Sequence, residues 1–367
     1  MAVTNFNALT TEQKTVWSRD VWKVARNASF INRFAGKSHN SMVQRITELT
    51  KSERGARAVI TLVPDLEGDG VAGDNTLEGN EEEIKAYDQV IQIDQLRNAN
   101  RHKGKMAEQK SVVKFRETSK DVLGYWLADR LDQMAFLTLS GVAYTYKTDG
   151  TTRTGSQLPD LAFAADVTAP TAQGTRYFVW DGGNDDLTTN DGNDDLVAAD
   201  TPSYKMLVKL KAKAKEQYVR GVKDANGEEV FHVFMTPSGM AALKLDADYL
   251  ANIRGAGVRG SKNELFAGTT SVLVDGMWIH EYRHVYHAST WGSGAVAGQR
   301  VLFCGAQALG LADIGAPEWN EKGFDYDNQQ GVEVGKIFGL LKPQFISQYS
   351  GLTTAVDFGV ITCDTAV

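Results

Sequence analysis

Apolar residues recur at three- and four-residue steps through one long stretch of the first half of the chain. Val112, Phe115, Val122, Trp126, Leu127, Leu131, Met134 and Leu137 share one helical face, charges fill the other, and Gly141 supplies a stop. The spacing predicts a single helix over 105–141, about 45 Å long at 1.5 Å per residue, the length of a structural spine. Upstream, Val16, Trp17, Val21, Trp22 and Val24 give a rougher one-sided helical spacing within residues 1–54. Between the two, Arg57 to Val63 and Ile84 to Leu96 are β-prone and flank a polar stretch rich in Gly and acids.

Pattern is weakest across 142–200, which reads as a surface insertion. Regularity returns with a helix from Thr201-Pro202, a strand at VFHVFM, and a helix from Pro237 through PSGMAALKLDADYL. A hairpin follows, turning at Asp275-Gly276 and continuing as a strand past His284. From Val301 the tail alternates short strands with Gly-rich turns. Helices and strands mix without a strand-helix rhythm, which predicts an α+β fold.

Charge sharpens the picture at the two extensions. Residues 1–54 carry nine Lys and Arg against four acids, a net of +5. Residues 55–103 carry five bases against ten acids, a net of −5. Two strands with a long acidic tip cannot bury a core of their own, so this loop is expected to lie on something else. The whole chain is at −7, the wrong sign for a protein that neutralises phosphates, so nucleic acid is expected as a non-specific neighbour only. No apolar run reaches the ~18 residues of a membrane span, and the first residues lack a signal-peptide pattern, so the protein is expected to be made and used in a cytosol. Cys304 and Cys363 are too few for a disulfide framework and are expected as buried thiols.

Several motifs invite chemistry that their context refuses. His280-Glu281-Tyr282-Arg283-His284 matches a zinc-peptidase pattern that works only on a helix. On a strand, residues four apart stand about 13 Å from each other, too far to share one zinc. Gly255 to Gly260 matches G-x-G-x-x-G, yet it follows a helix where a dinucleotide site needs a strand. Asp65, Glu67, Asp69 and Gly70 imitate half an EF-hand loop, but its twelfth position is Thr76. GNDDL occurs at 183–187 and 192–196, too few copies for a calcium-binding solenoid. No nucleophile pairing stands out, so neither catalysis nor a cofactor is expected.

The order of elements resembles the major capsid proteins of tailed phages, with the Hong Kong ninety-seven type fold and nearest the branch typified by the capsid protein of phage N-four. Trp17 and Trp22 carry the likeness, with LEGDGVAGDNTLEGNEE at 66–82 and YWLADRLDQ at 125–133. FMTPSGMAALKLD at 234–246, ELFAGTTSVLVDGMWIHEY at 264–282, FCGAQALGLA at 303–312 and DYDNQQGVEVGKIFGLLKP at 325–343 extend it over nearly the whole chain. The resemblance implies an N-terminal arm (1–54), an extended E-loop hairpin (55–103) and a peripheral domain (104–219) holding the spine helix and the insertion. It further implies an axial domain (220–315) and C-terminal strands (316–367) that return to the core.

By the same resemblance the chain would form hexamers and pentamers of an icosahedral virion shell. Assembly would occur in the host bacterial cytoplasm with a separate scaffold protein, a portal and, in some shells, a cement protein. The opposite charges of arm and loop predict an inter-subunit clasp, with Trp17, Arg26, Arg33 and Arg54 on one side and Asp69, Asp74, Glu78, Glu81, Glu82 and Glu83 on the other. Two alternatives stand beside the shell subunit: a zinc hydrolase using His280 and His284 with Glu318 as third ligand, and a non-shell phage structural or decoration module.

Overall fold

The computed structural model describes residues 29–47, 57–62, 66, 68–84, 87–111, 114–170, 174–189, 196–256, 271–291, 295–346 and 354–367. After a 3-10 turn at Ile31–Phe34 come β1 (Ala35–Gly36), β2 (Val43–Ile46), β3 (Arg57–Leu62), β4 (Tyr87–Gln92) and β5 (Asp94–Arg101). Helices α1 (Lys105–Gln109) and α2 (Phe115–Ser140) lead to β6 (Tyr177–Asp181), β7 (Asp186–Thr189), α3 (Tyr204–Glu216), β8 (Val222–Lys223) and β9 (Glu229–Met235). Then follow α4 (Pro237–Leu245), α5 (Ala247–Ala256), β10 (Ser271–Val274), β11 (Met277–Glu281), β12 (His287–Trp291) and β13 (Val296–Cys304). The chain closes with β14 (Leu309–Asp313), β15 (Glu318–Phe324), β16 (Gln329–Leu341), β17 (Gln344–Phe345), β18 (Val356–Asp357) and β19 (Val360–Ala366).

Two sheets organise the body. One runs β1-β2-β14-β16-β15, with β5 also paired to the long β16. The other runs β10-β11-β9-β13-β19-β6-β7, with β12 on β13 and β8 on β9. Along β13, Val301 and Phe303 join the core under α3, α4 and α5, while Leu302 and Cys304 join the core against α2. Both faces of this sheet are therefore dry along β13, which is why its second half reads as a continuous apolar run. Helix α2 lies between the sheets: Leu127, Leu131 and Met134 pack in one core with Phe234 and Leu302 of one and Leu309, Val334 and Phe338 of the other.

The helix expected over 105–141 is interrupted. Helix α1 ends at Gln109, and α2 restarts at Phe115, whose ring meets His102 at 5.0 Å while Arg116 donates to Glu321 at 2.9 Å. These contacts pull the start of α2 onto the first sheet, and its 26 residues span about 39 Å. Val122, placed on the apolar face by spacing, is 51% exposed. The stop at Gly141 forms as the pattern predicts: its φ is 66°, and its N–H returns to the carbonyls of Leu137 and Thr138.

Residues 142–200 are not a surface insertion. Tyr144, Phe163, Phe178, Trp180 and Leu196 are buried, and β6 is an inner strand paired in parallel with β19. The apolar run YFVWD finds its partner at the opposite end of the sequence, which local pattern cannot show. Three other expectations also shift. The strand expected over 84–96 divides into β4 and β5 around Ile93. The helix from Pro237 breaks at Asp246, whose carboxylate accepts the N–H groups of Tyr204 and Tyr249. The strand expected through His284 ends at Glu281, and His284 sits in a turn. The two sheets also interleave along the sequence: the second draws on 177–189, 222–304 and 360–366, so neither begins or ends at 220 or 315.

Candidate assembly site

Strands β3 and β4 form a two-stranded hairpin of their own. Its inner residues Ala58, Ile60 and Ile91 are buried with Ala312 of β14 and Leu341 of β16. A Cβ on Gly339 would stand 2.2 Å from the Gln92 carbonyl oxygen, so only glycine lets the hairpin lie flat there. Beyond the strands the tip projects. Asp69, Asp74, Glu78, Glu81, Glu82 and Glu83 are all exposed, beside exposed Leu66, Leu77 and Ile84. The tip is tied to itself: Glu82 accepts from Gly68 N–H at 2.7 Å, Glu81 from Gly79 N–H at 2.7 Å, and Asn80 donates to the Thr76 carbonyl.

Of the residues expected to face those acids, Trp17, Arg26 and Arg54 lie outside the described residues. Arg33 lies over the Phe30 ring at 5.4 Å, in the segment where the arm joins the body. There the sequence hides a feature. Asp132 of α2 is 1% exposed and accepts four hydrogen bonds: from Ser29 Oγ at 2.7 Å, Phe30 N–H at 2.8 Å, Ile31 N–H at 3.1 Å and the Tyr282 hydroxyl at 2.5 Å. A carboxylate on the spine thus anchors the arm root, while Phe30 stacks on Tyr282 at 4.2 Å. No spacing rule marks Asp132, because the chain that covers it lies a hundred residues upstream.

The zinc-like motif is taken apart by the fold. His280 Nε2 meets His232 Nδ1 at 3.2 Å, whereas His284 Nε2 meets Asp129 at 2.7 Å, and Glu318 stands on β15 of the other sheet. Among the described residues no three His, Cys, Asp or Glu side chains gather to hold a metal. Cys304 and Cys363 are buried, and burial pushes both thiols up, away from reactive thiolates.

The His232–His280 pair lies beneath the arm root, with the Phe34 ring 5.0 Å from both imidazoles. Burial pushes each down to about 4, with the neighbouring imidazole and Arg33 adding to the effect at His280. Between pH 6.5 and about 4 the unfolded chain takes up protons that the folded one refuses, so stability present above 6.5 falls as pH drops through this window. Denaturation at pH 7 and 4.5 should show a smaller acid loss in the His232→Gln, His280→Gln double variant than in the parent. An identical loss would remove the pair from the explanation.

Comparison with known proteins supplies the context for these extensions. The family model described as phage capsid protein matches residues 5–367. The chain belongs to the phage capsid protein family. The major capsid protein of Pseudomonas phage KPP25 is 58% identical over 365 residues, covering 98% of this chain and 96% of that one. The capsid of Ralstonia phage GP4 superposes with a TM-score of 0.74 at 27% identity, over 92% of this chain and 90% of the other. The capsid of Cyanophage Pam1 shares the fold, with a TM-score of 0.72 at 18% identity over the full chain and 96% of its own. The α+β expectation is met, and the function follows: this is a major capsid protein of a phage, a shell-building subunit that assembles with copies of itself.

Proposed function

We propose that the capsid protein forms hexamers and pentamers of an icosahedral shell around the packaged genome, with its two charged extensions reaching between subunits. The observation that carries this reading is the hairpin tip. It exposes six described acids and three large aliphatic side chains and belongs to neither sheet of the body. The β3–β4 hairpin corresponds to the E-loop, α2 and the first sheet to the peripheral domain, and the second sheet with α3, α4 and α5 to the axial domain. The basic arm, with Trp17, Arg26, Arg33 and Arg54, clasps a neighbour's acidic tip through many ion pairs worth about 0.2–1 kcal/mol each. Assembly takes place in the bacterial cytoplasm around a separate scaffold, with a portal at one vertex and a cement protein where the shell needs one. DNA is touched without sequence preference, in keeping with the −7 charge.

Deletion of 66–83 tests the reading. The subunit should keep its helical and sheet content, because the tip contributes nothing to either sheet. The protein concentration at which shells form, followed by sedimentation and electron microscopy, should rise tenfold for each ~1.4 kcal/mol by which the deletion weakens the bond between subunits. Shells at the parent's threshold would refute the role of the tip.

A further inference from the structure

Two lysines are buried among the described residues, and each faces an aspartate. Their surroundings differ. Lys336 donates to Asp313 at 2.6 Å and to the Gly315 carbonyl at 2.9 Å, and Asp313 also accepts from Arg45 and the Gly315 N–H. That is a hydrogen-bonded ion pair of the kind a protein interior tolerates. Lys342 is 1% exposed and as an ammonium has three donors, yet its one hydrogen-bond acceptor is Asp357 Oδ2 at 2.9 Å. Burial pushes its amine below the usual lysine range even though Asp357 opposes the shift. In a site this dry, passing the proton from Nζ to Oδ2 removes two buried charges and leaves a neutral amine against a neutral carboxyl group. Those are the reactants of an amide. Gln344 Nε2 donates to the other oxygen, Oδ1, at 2.9 Å, where negative charge gathers when nitrogen attacks Cγ. The backbone holds the two ends in register: Gln344 pairs with Asp357 across β17 and β18, and the Phe358 N–H donates to the Pro343 carbonyl at 2.9 Å. Arg176, buried beside them, directs its guanidinium to the carbonyls of Asp357, Thr175 and Gln217, so its hydrogen bonds do not need the Asp357 carboxylate.

We propose that Lys342 and Asp357 condense into an isopeptide bond within the folded subunit. The amine nitrogen bonds to Cγ of Asp357, the Cγ–Oδ2 bond breaks, and Oδ2 departs as water with the proton it received and a second one from Nζ. Nothing is oxidised or reduced. Held against each other, the two groups react as parts of one molecule, and the water leaves for bulk solvent. Reversal needs a water readmitted to Asp357, which is completely buried. The bond ties the end of β16 in the first sheet to the segment that leads into β19 of the second, and closes residues 342–357 into a covalent ring.

Mass spectrometry of the purified chain, denatured after folding, tests it. The parent should be lighter than its sequence by one water. The loss should sit in the tryptic peptide 337–367, which holds both residues because trypsin does not cut before Pro343. Chymotryptic cleavage after Phe345 and Tyr349 should then leave the flanking fragments joined. Lys342→Arg should show its full sequence mass over the same peptide. A parent peptide at full sequence mass overturns the bond. So does a lightened parent whose fragments separate after cleavage at Tyr349, since that is a succinimide at an aspartate. Loss of water that survives Lys342→Arg overturns it as well.

Discussion

Replacing Asp132 with Ala should destabilise the subunit by about 2–4 kcal/mol and free the arm root from the spine helix. The substitution leaves two backbone N–H groups, of Phe30 and Ile31, and two hydroxyls, of Ser29 and Tyr282, without their acceptor. Each orphaned buried donor costs about 1–3 kcal/mol, and the Asp132 carboxylate's own desolvation offsets part of the sum. Asn is no gentler replacement. Oδ1 accepts from the N–H of Ile31 and Oδ2 from the N–H of Phe30, so an amide NH2 on either side faces a donor. Hydrogen exchange at Phe30 and Ile31, with the thermal midpoint, reports the effect. Unchanged protection at both amides would show that aromatic packing alone holds the root.

The second large effect is expected at Asp364, which is completely buried. It accepts from Arg300 Nε at 2.8 Å and Nη2 at 3.1 Å, and from the Tyr177 hydroxyl at 2.8 Å, while Arg300 Nη1 donates to the Ser140 carbonyl at 2.8 Å. Burial alone would push the guanidinium down, yet Asp364 holds it above its ordinary range. The cluster joins the last residue of α2 to β13, β19 and β6, and so ties the spine to the second sheet. Asp364→Ala strands a buried cation and should cost about 3–5 kcal/mol. The double change Arg300→Met, Asp364→Leu should cost clearly less than the sum of the two single changes. Additive losses in urea denaturation would mean that the pair acts only by volume.

What the sequence disclosed was local. The Asp275-Gly276 turn is legible because φ values of 47° and 71° suit that pair, and Gly141 because a left-handed stop favours glycine. The exposed acidic tip and the buried thiols were legible from composition. The rest depended on distant partners. Strand β6 looked like part of a loop because its parallel neighbour β19 closes the chain. Asp132 looked like a solvent-facing position of a helix because nothing nearby announces that residues 29–31 cover it. The interruption before Phe115 was invisible because the apolar period runs on through 112–115.

The flat seat of the hairpin has a mechanical consequence. Its ladder hydrogen bonds are internal to β3 and β4, while β5 is stitched to β16 along Asp94–Arg101, and one residue, Ile93, separates the two. Tilting the hairpin therefore breaks no ladder bond of the body, only the bonds of Gln89 with Gln344 and of Gln92 with Asp166, and it slides Ile60 and Ile91 over Gly310 and Gly339. A closed surface built from one sequence meets regions of unequal curvature. In this subunit that difference can be absorbed at a single joint while both sheets keep their shape.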